Sequence, residues 1–141
     1  MNYLPWAVLA LLSYSMVAPL MRVATSGANP IPSNVAALVA NAVLVLVTLA
    51  VIGATGEGVV GYLDDPKMRH VFAAGACLAV GILAYYRALS MGPVSIVAPV
   101  FAMFFVTSSL VGVLALEEPV TARKVAGVAF AVLAVLLVAG E

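Results

Sequence analysis

The chain has 141 residues, of which 65% are hydrophobic and 9% are charged, and its six Lys and Arg balance its six Asp and Glu. A soluble domain carries about 25% charged residues, so this composition excludes a water-soluble fold. The zero net charge and the absence of a basic stripe argue against a nucleic-acid-binding protein. The charges lie in short stretches and leave long uncharged segments, which predicts an all-α integral membrane protein with five transmembrane helices. These segments are Asn2–Met21, Val23–Gly56, Val71–Tyr86, Ala88–Leu116 and Val125–Gly140.

The first helix is predicted over about residues 3–23 and contains a proline, Pro19. Proline removes a backbone donor, so a kink or break is expected near Ser15. Ser13 and Tyr14, together with Ser15, place three hydroxyl groups one turn before this kink.

The second and third helices are predicted over about residues 34–52 and 66–90. Ser33 is a good N-cap for the second helix, and Asp65-Pro66 is a typical start for the third. Asn41 is the most polar uncharged residue deep inside an apolar segment. Tyr85 and Tyr86 approach the membrane interface near the end of the third helix.

The fourth and fifth helices are predicted over about residues 94–116 and 121–139. The Gly92-Pro93 turn places the fourth helix antiparallel to the third. Pro99 falls early in the fourth helix and frees a backbone carbonyl, close to the hydroxyl of Ser95. Gly127 and Ala131 form a small-xxx-small step in the fifth helix, which permits close helix approach and makes this helix a candidate dimer contact.

Five crossings place the two termini on opposite sides of the membrane. Four basic residues fall on the N-terminal side, and two, Arg22 and Arg87, fall on the other. The positive-inside rule therefore weakly favours a cytoplasmic N-terminus, and a bias this small also allows insertion in both orientations.

The second half of the chain carries an ordered set of short motifs. Tyr85-Tyr86-Arg87-Ala88-Leu89 is followed by the Gly92-Pro93 turn and by Ile96-Val97-Ala98-Pro99, and Glu118 precedes Thr121 by three residues. In this order and spacing the chain resembles the EamA domain of the drug/metabolite transporter superfamily. The resemblance extends in helix count and order over about residues 4–138. It departs at Asn34, which stands where family members often carry a basic residue.

The resemblance implies an architecture of one half of an inverted-repeat transporter. Typical members join two five-helix units of opposite orientation in one chain, whereas this sequence contains one unit. It therefore implies a dimer, either an antiparallel homodimer or a heterodimer with a paralogue. Alternating access uses such inverted halves, with the substrate near the midplane between them.

The candidate substrate-binding residues are the uncharged polar groups and prolines inside the apolar segments. Each has a structural alternative. The prolines could only shape the bundle, Asn41 could hydrogen-bond a neighbouring helix, and the tyrosines could anchor at the interface. The candidates are Ser13, Tyr14, Ser15, Pro19, Asn41, Tyr85, Tyr86, Ser95 and Pro99.

The predicted function is transport of a small neutral or zwitterionic metabolite across the cell membrane by a multi-pass protein. The uncharged segments contain no acidic residue that could carry a proton or neutralise a cation. No catalytic, metal or cofactor motif is present, so no enzyme activity and no cofactor are expected. Two alternatives remain: a non-transporting subunit paired with a larger transporter or lipid-handling partner, and a lipid-carrier flippase of the same superfamily.

Overall fold

The computed structural model describes residues 3–115, 117 and 119–139. All the regular structure in these ranges is helical, which confirms the all-α prediction. A short 3-10 turn, Val60–Tyr62, lies in the connection between residues 55 and 68. The helices are α1 (Leu4–Ser15), α2 (Val17–Thr25), α3 (Ser33–Thr55), α4 (Met68–Met91), α5 (Val94–Ala102), α6 (Phe104–Ala115) and α7 (Ala122–Ala139).

Four segments of the described chain are long and apolar enough to cross a membrane. They are Leu4–Thr25, which combines α1 and α2, then α3, α4, and Val94–Ala115, which combines α5 and α6. The 23 residues of α3 rise by about 34 Å, slightly more than the ~30 Å hydrocarbon core of a bilayer. The fifth predicted span corresponds to α7, which has 18 residues. Glu118, the acidic residue of the sequence motif that precedes α7, lies outside the described residues.

The start of α4 lies two residues later than the predicted start at Pro66. Asp65 forms a turn before the helix, with its carboxylate accepting the Lys67 N–H at 2.7 Å and its backbone oxygen accepting the Met68 N–H at 2.8 Å. Aspartate is well suited to such a turn because its side chain mimics a backbone acceptor.

The first span is interrupted at Met16, as Pro19 predicts. Pro19 has no N–H, so the backbone oxygen of Ser15 loses its normal helical partner. The Met16 N–H turns back to the Ser13 oxygen at 3.3 Å, and the helix restarts with the Leu20 N–H on the Met16 oxygen at 3.2 Å. The break therefore divides the first span into α1 and α2.

The fourth span is interrupted at Met103 and not at its proline. Helix α5 continues through Pro99, and the break follows one turn later. Three phenylalanine rings surround it, with centroid distances of 5.1 Å from Phe101 to Phe104 and 4.0 Å from Phe104 to Phe105. Neither glycine nor proline occupies the break, and the structure offers no local cause for it.

The chain forms two compact units, residues 1–91 and 92–141. In the first unit, the buried residues lie on one face of α2, in the first turns of α3 and in the last turns of α4, and no residue of α1 is buried. Small residues at the start of α3 allow the three helices to approach closely. The buried residues are Ala18, Met21, Thr25, Ser33, Ala36, Ala37, Tyr86 and Leu89. In the second unit, α5 packs against α6 and α7.

Enlarging Ala37 tests this packing. Ala37 is 2% exposed, so Ala37→Leu is expected to overpack the junction and lower the free energy of unfolding by about 1–3 kcal/mol. Ala42→Leu, on the exposed face of the same helix, is expected to have almost no effect. Unfolding in detergent micelles measures both variants, and equal losses of stability would contradict the packing.

Candidate functional site

Most polar side chains within the spans bond to their own helix. Asn41 Nδ2 donates to the Ala37 oxygen at 2.8 Å, Thr48 Oγ1 to the Leu44 oxygen at 2.8 Å, and Ser15 Oγ to the Leu12 oxygen at 2.8 Å. Bonds of this kind satisfy a polar group in hydrocarbon without linking two helices. The structure therefore gives Asn41 a partner within α3 and not on a neighbouring helix.

Asn41 lies in an open groove of about 450 Å³ between α3 and α4, within the first unit. The groove is apolar except for Asn41 and Asn34, which lie two helical turns apart on one face of α3. On the opposite wall, a side-chain carbon added at Gly75 would meet no atom within 4 Å, so the glycine leaves this wall open. The lining residues are Asn34, Ala37, Leu38, Asn41, Gly75, Leu78, Ala79, Ile82 and Leu83.

The hydrogen bond of Asn41 fixes the orientation of its carboxamide. The Ala37 backbone oxygen can only accept, so the amide NH₂ must point toward it. This bond uses one of the two amide hydrogens, and the amide oxygen is an acceptor that the Ala37 contact does not use. The half-buried side chain can therefore offer a neutral acceptor and a neutral donor to a ligand in the groove.

Tyr14 and Tyr86 lie on different helices of the first unit, α1 and α4. Tyr14 is 69% exposed. Tyr86 is 5% exposed and lies beside Tyr85, with 6.0 Å between the ring centroids. The lining of the Asn41 groove includes none of these three tyrosines.

The remaining candidates of the first span surround the break at Met16. Ser13, Ser15 and Pro19 are all exposed. The hydroxyl of Ser15 bonds to Leu12, and the backbone oxygen of Ser15 is the one that Pro19 leaves without a helical donor. This segment therefore presents both side-chain and backbone polar groups on an unburied stretch of helix.

Ser95 and Pro99 lie together on α5, in the second unit. Ser95 is exposed and Pro99 is half-buried. They are four residues apart, so the backbone oxygen that Pro99 leaves without a helical donor is that of Ser95. The same proline-and-serine spacing therefore occurs in the first and fourth spans.

Sequence reasoning counted Arg22 among the basic residues on one side of the membrane and missed its structural role. Its Nη1 donates to the backbone oxygen of Leu89 at 2.7 Å, and the bond joins α2 to α4. The available signal was the Gly92-Pro93 turn, which ends the helix and leaves the oxygens of its last turn, including that of Leu89, without helical donors. The sequence indicates that this oxygen needs a donor, but not which donor reaches it.

Comparison with known proteins agrees with this architecture. The profile of the EamA-like transporter family matches residues 1–140. A Sinorhizobium sp. relative, named "Uncharacterized transporter in cobO 3'region", is 35% identical over 136 residues, covering 95% of this chain and 96% of the relative. No solved structure gives a significant match. The chain therefore belongs to the EamA-like transporter family, within the drug/metabolite transporter superfamily, and is a multi-pass protein of the cell membrane.

Proposed function

We propose that this membrane transporter carries a small neutral or zwitterionic metabolite by alternating access, as one half of a dimer. The observation that supports this best is the Asn41 carboxamide, placed in an apolar groove with hydrogen-bonding capacity to spare. An uncharged donor and acceptor in a low-dielectric wall bind uncharged polar groups without the cost of burying a second charge.

The distribution of charge supports the proposed substrate class. The uncharged segments contain no Asp or Glu, so a cationic substrate would enter the membrane without a counter-charge from the spans. An unpaired charge in hydrocarbon costs several kcal/mol or more. A neutral molecule avoids this cost, and a zwitterion reduces it by pairing its own charges.

The dimer is supported by the length of the relative and by the surface of α1. The relative aligns over 96% of its length to this chain, so it also has the size of one five-helix unit. No residue of α1 is buried, although this helix carries Ser13, Tyr14 and Ser15. A second unit packed against α1 would cover these polar groups and place them near the interface between halves, where substrates of inverted-repeat transporters bind.

Uptake into proteoliposomes tests the substrate class. We expect a panel of labelled neutral and zwitterionic solutes to include a transported compound, and a matched panel of organic cations to include none. Uptake is expected to be the same with and without an imposed pH gradient, because the spans contain no acidic proton carrier. Strong dependence on the gradient, or uptake of cations alone, would contradict the proposal.

Replacing Asn41 separates a ligand contact from a structural role. Asn41→Leu is expected to reduce uptake at least about tenfold, the effect of losing one or two hydrogen bonds to substrate. The free energy of unfolding should change by less than about 1 kcal/mol, because the Ala37 bond lies within α3. Gly75→Leu, which fills the groove, should also block uptake.

Thr48→Val is the matched control for Asn41→Leu. Thr48 makes the same kind of bond within α3 but does not line the groove. The Thr48→Val substitution should therefore leave both uptake and the free energy of unfolding unchanged. A large loss of stability in Asn41→Leu would instead assign Asn41 a structural role.

Cysteine crosslinking tests the dimer. In a background in which Cys77 is replaced by Ala, Gly127→Cys on α7 is expected to form a covalent dimer with a short crosslinker, because the small-residue step permits close approach. Leu46→Cys, exposed on α3, is the control and should crosslink poorly. Labelling from each side of the membrane should find both orientations, and a single orientation would exclude the antiparallel homodimer.

A further inference from the structure

Arg22 differs from its neighbours Thr25 and Ser26 in what it bonds to. Thr25 Oγ1 donates to the Met21 oxygen at 2.8 Å and Ser26 Oγ to the Arg22 oxygen at 2.6 Å, both within the same stretch of chain. Arg22 instead reaches residue 89, which is 67 positions away in sequence. Its side chain therefore connects the end of α2 to the end of α4.

The Leu89 oxygen needs a donor from outside its own helix. It belongs to the last turn of α4, which ends at Met91, and the residue four positions later, Pro93, lies beyond the helix and has no N–H. Leu89 is fully buried, at 0% exposure, so water does not reach its side chain in this conformation. A backbone oxygen left without a donor in such a place is costly, and the guanidinium of Arg22 supplies the donor.

The surroundings hold Arg22 in position for this bond. The hydroxyl bonds of Thr25 and Ser26 order the last turn of α2, which carries Arg22. The positive charge lies at the C-terminal end of α4, where the helix dipole is negative and favours a cation. Thr25 and Ser33, both buried, lie at the same end of the unit.

Breaking this bond removes the donor of the Leu89 oxygen. Once separated, the Leu89 oxygen and the guanidinium both need new partners, and within a membrane protein only water or headgroups can supply them. Separation of α2 from α4 and hydration of this end are therefore one event. Arg22 is half-buried in the closed contact, and opening the contact exposes the Leu89 oxygen on its buried side to water.

We propose that Arg22 is the gate residue of this unit, and that its bond to the Leu89 oxygen holds the α2–α3–α4 end closed on the side of the membrane where α4 ends. The inference rests on the proposed alternating-access function and adds to it the positioning residue that controls one gate. Arg22 acts by holding two helices together and does not contact the substrate. Its state can therefore be measured without knowing the substrate.

Thiol labelling at Ser33 tests the gate. Ser33 is 7% exposed, and Ser33→Cys is nearly isosteric. With Cys77 replaced by Ala, in nanodiscs that leave both faces accessible, a membrane-impermeant maleimide should label this cysteine slowly. Arg22→Leu should accelerate the labelling roughly ten- to hundredfold, the factor expected when a hydrogen bond to a charged group is lost. Arg22→Lys, which keeps the charge and a donor, should restore much of the protection.

Arg87→Leu is the matched control, since Arg87 is an exposed basic residue near the same end of α4. When Arg87→Leu is combined with Ser33→Cys, the cysteine should be labelled at the same rate as in the protein that keeps Arg87. A second cysteine, Val113→Cys on α6, reports general loosening and should label at the same rate whether or not Arg22 is replaced. Unchanged protection in Arg22→Leu, equal acceleration in Arg87→Leu, or faster labelling at both cysteines would each overturn the gate.

If Arg22→Leu does not fold, Arg22→Gln tests the gate in its place. The glutamine side chain is neutral and keeps an N–H donor, but it is too short to reach the Leu89 oxygen. Selective acceleration at Ser33→Cys supports the gate, and parental protection overturns it. Because these rates need no substrate, a failed gate leaves the proposed transport standing. Failure of transport with selective labelling intact would overturn the transport proposal alone.

Discussion

A backbone oxygen that has lost its helical donor is the constraint on which much of this structure depends. Pro19 and Pro99 remove the N–H that would pair with the residue four positions earlier, Ser15 and Ser95. The end of α4 just before Pro93 leaves the Leu89 oxygen without a helical donor in the same way. In water such an oxygen would simply be hydrated. In hydrocarbon it must find a protein donor or face a wet cavity, so the prolines determine where polar groups have to gather.

The Leu89 and Ser15 oxygens meet this constraint in different surroundings. The Leu89 oxygen accepts the Arg22 guanidinium at the buried end of the first unit, which joins α2 to α4. The Ser15 oxygen lies at the break where α1 separates from α2, and α1 has no buried residue. The same chain segment is thus anchored on one side of Met16 and uncovered on the other. In this span, α2 is fixed within its own unit by Arg22, whereas α1 has a surface that a second unit could cover.

The predictions that held are those that depend on local properties of the chain. Long uncharged segments are sufficient to predict membrane helices, because burying a charge in lipid is costly wherever the segment lies in the fold. A break near Pro19 follows from its missing N–H. The bond between Arg22 and Leu89 joins residues far apart in sequence, so no periodicity or spacing indicates it. Neither glycine nor proline stands at the break at Met103, so the sequence gives no signal for it.

The arrangement around Arg22 is the central element of this account, and its most direct test is a distance measured in lipid. Magic-angle-spinning NMR of protein carrying ¹³C-carbonyl Leu and ¹⁵N-guanidino Arg should detect one leucine carbonyl carbon within about 4 Å of a guanidinium nitrogen, as the 2.7 Å bond to the oxygen requires. The signal should vanish in Arg22→Lys and persist in Arg87→Lys. Absence of any such contact in the parent protein, or its survival in Arg22→Lys, would contradict the account.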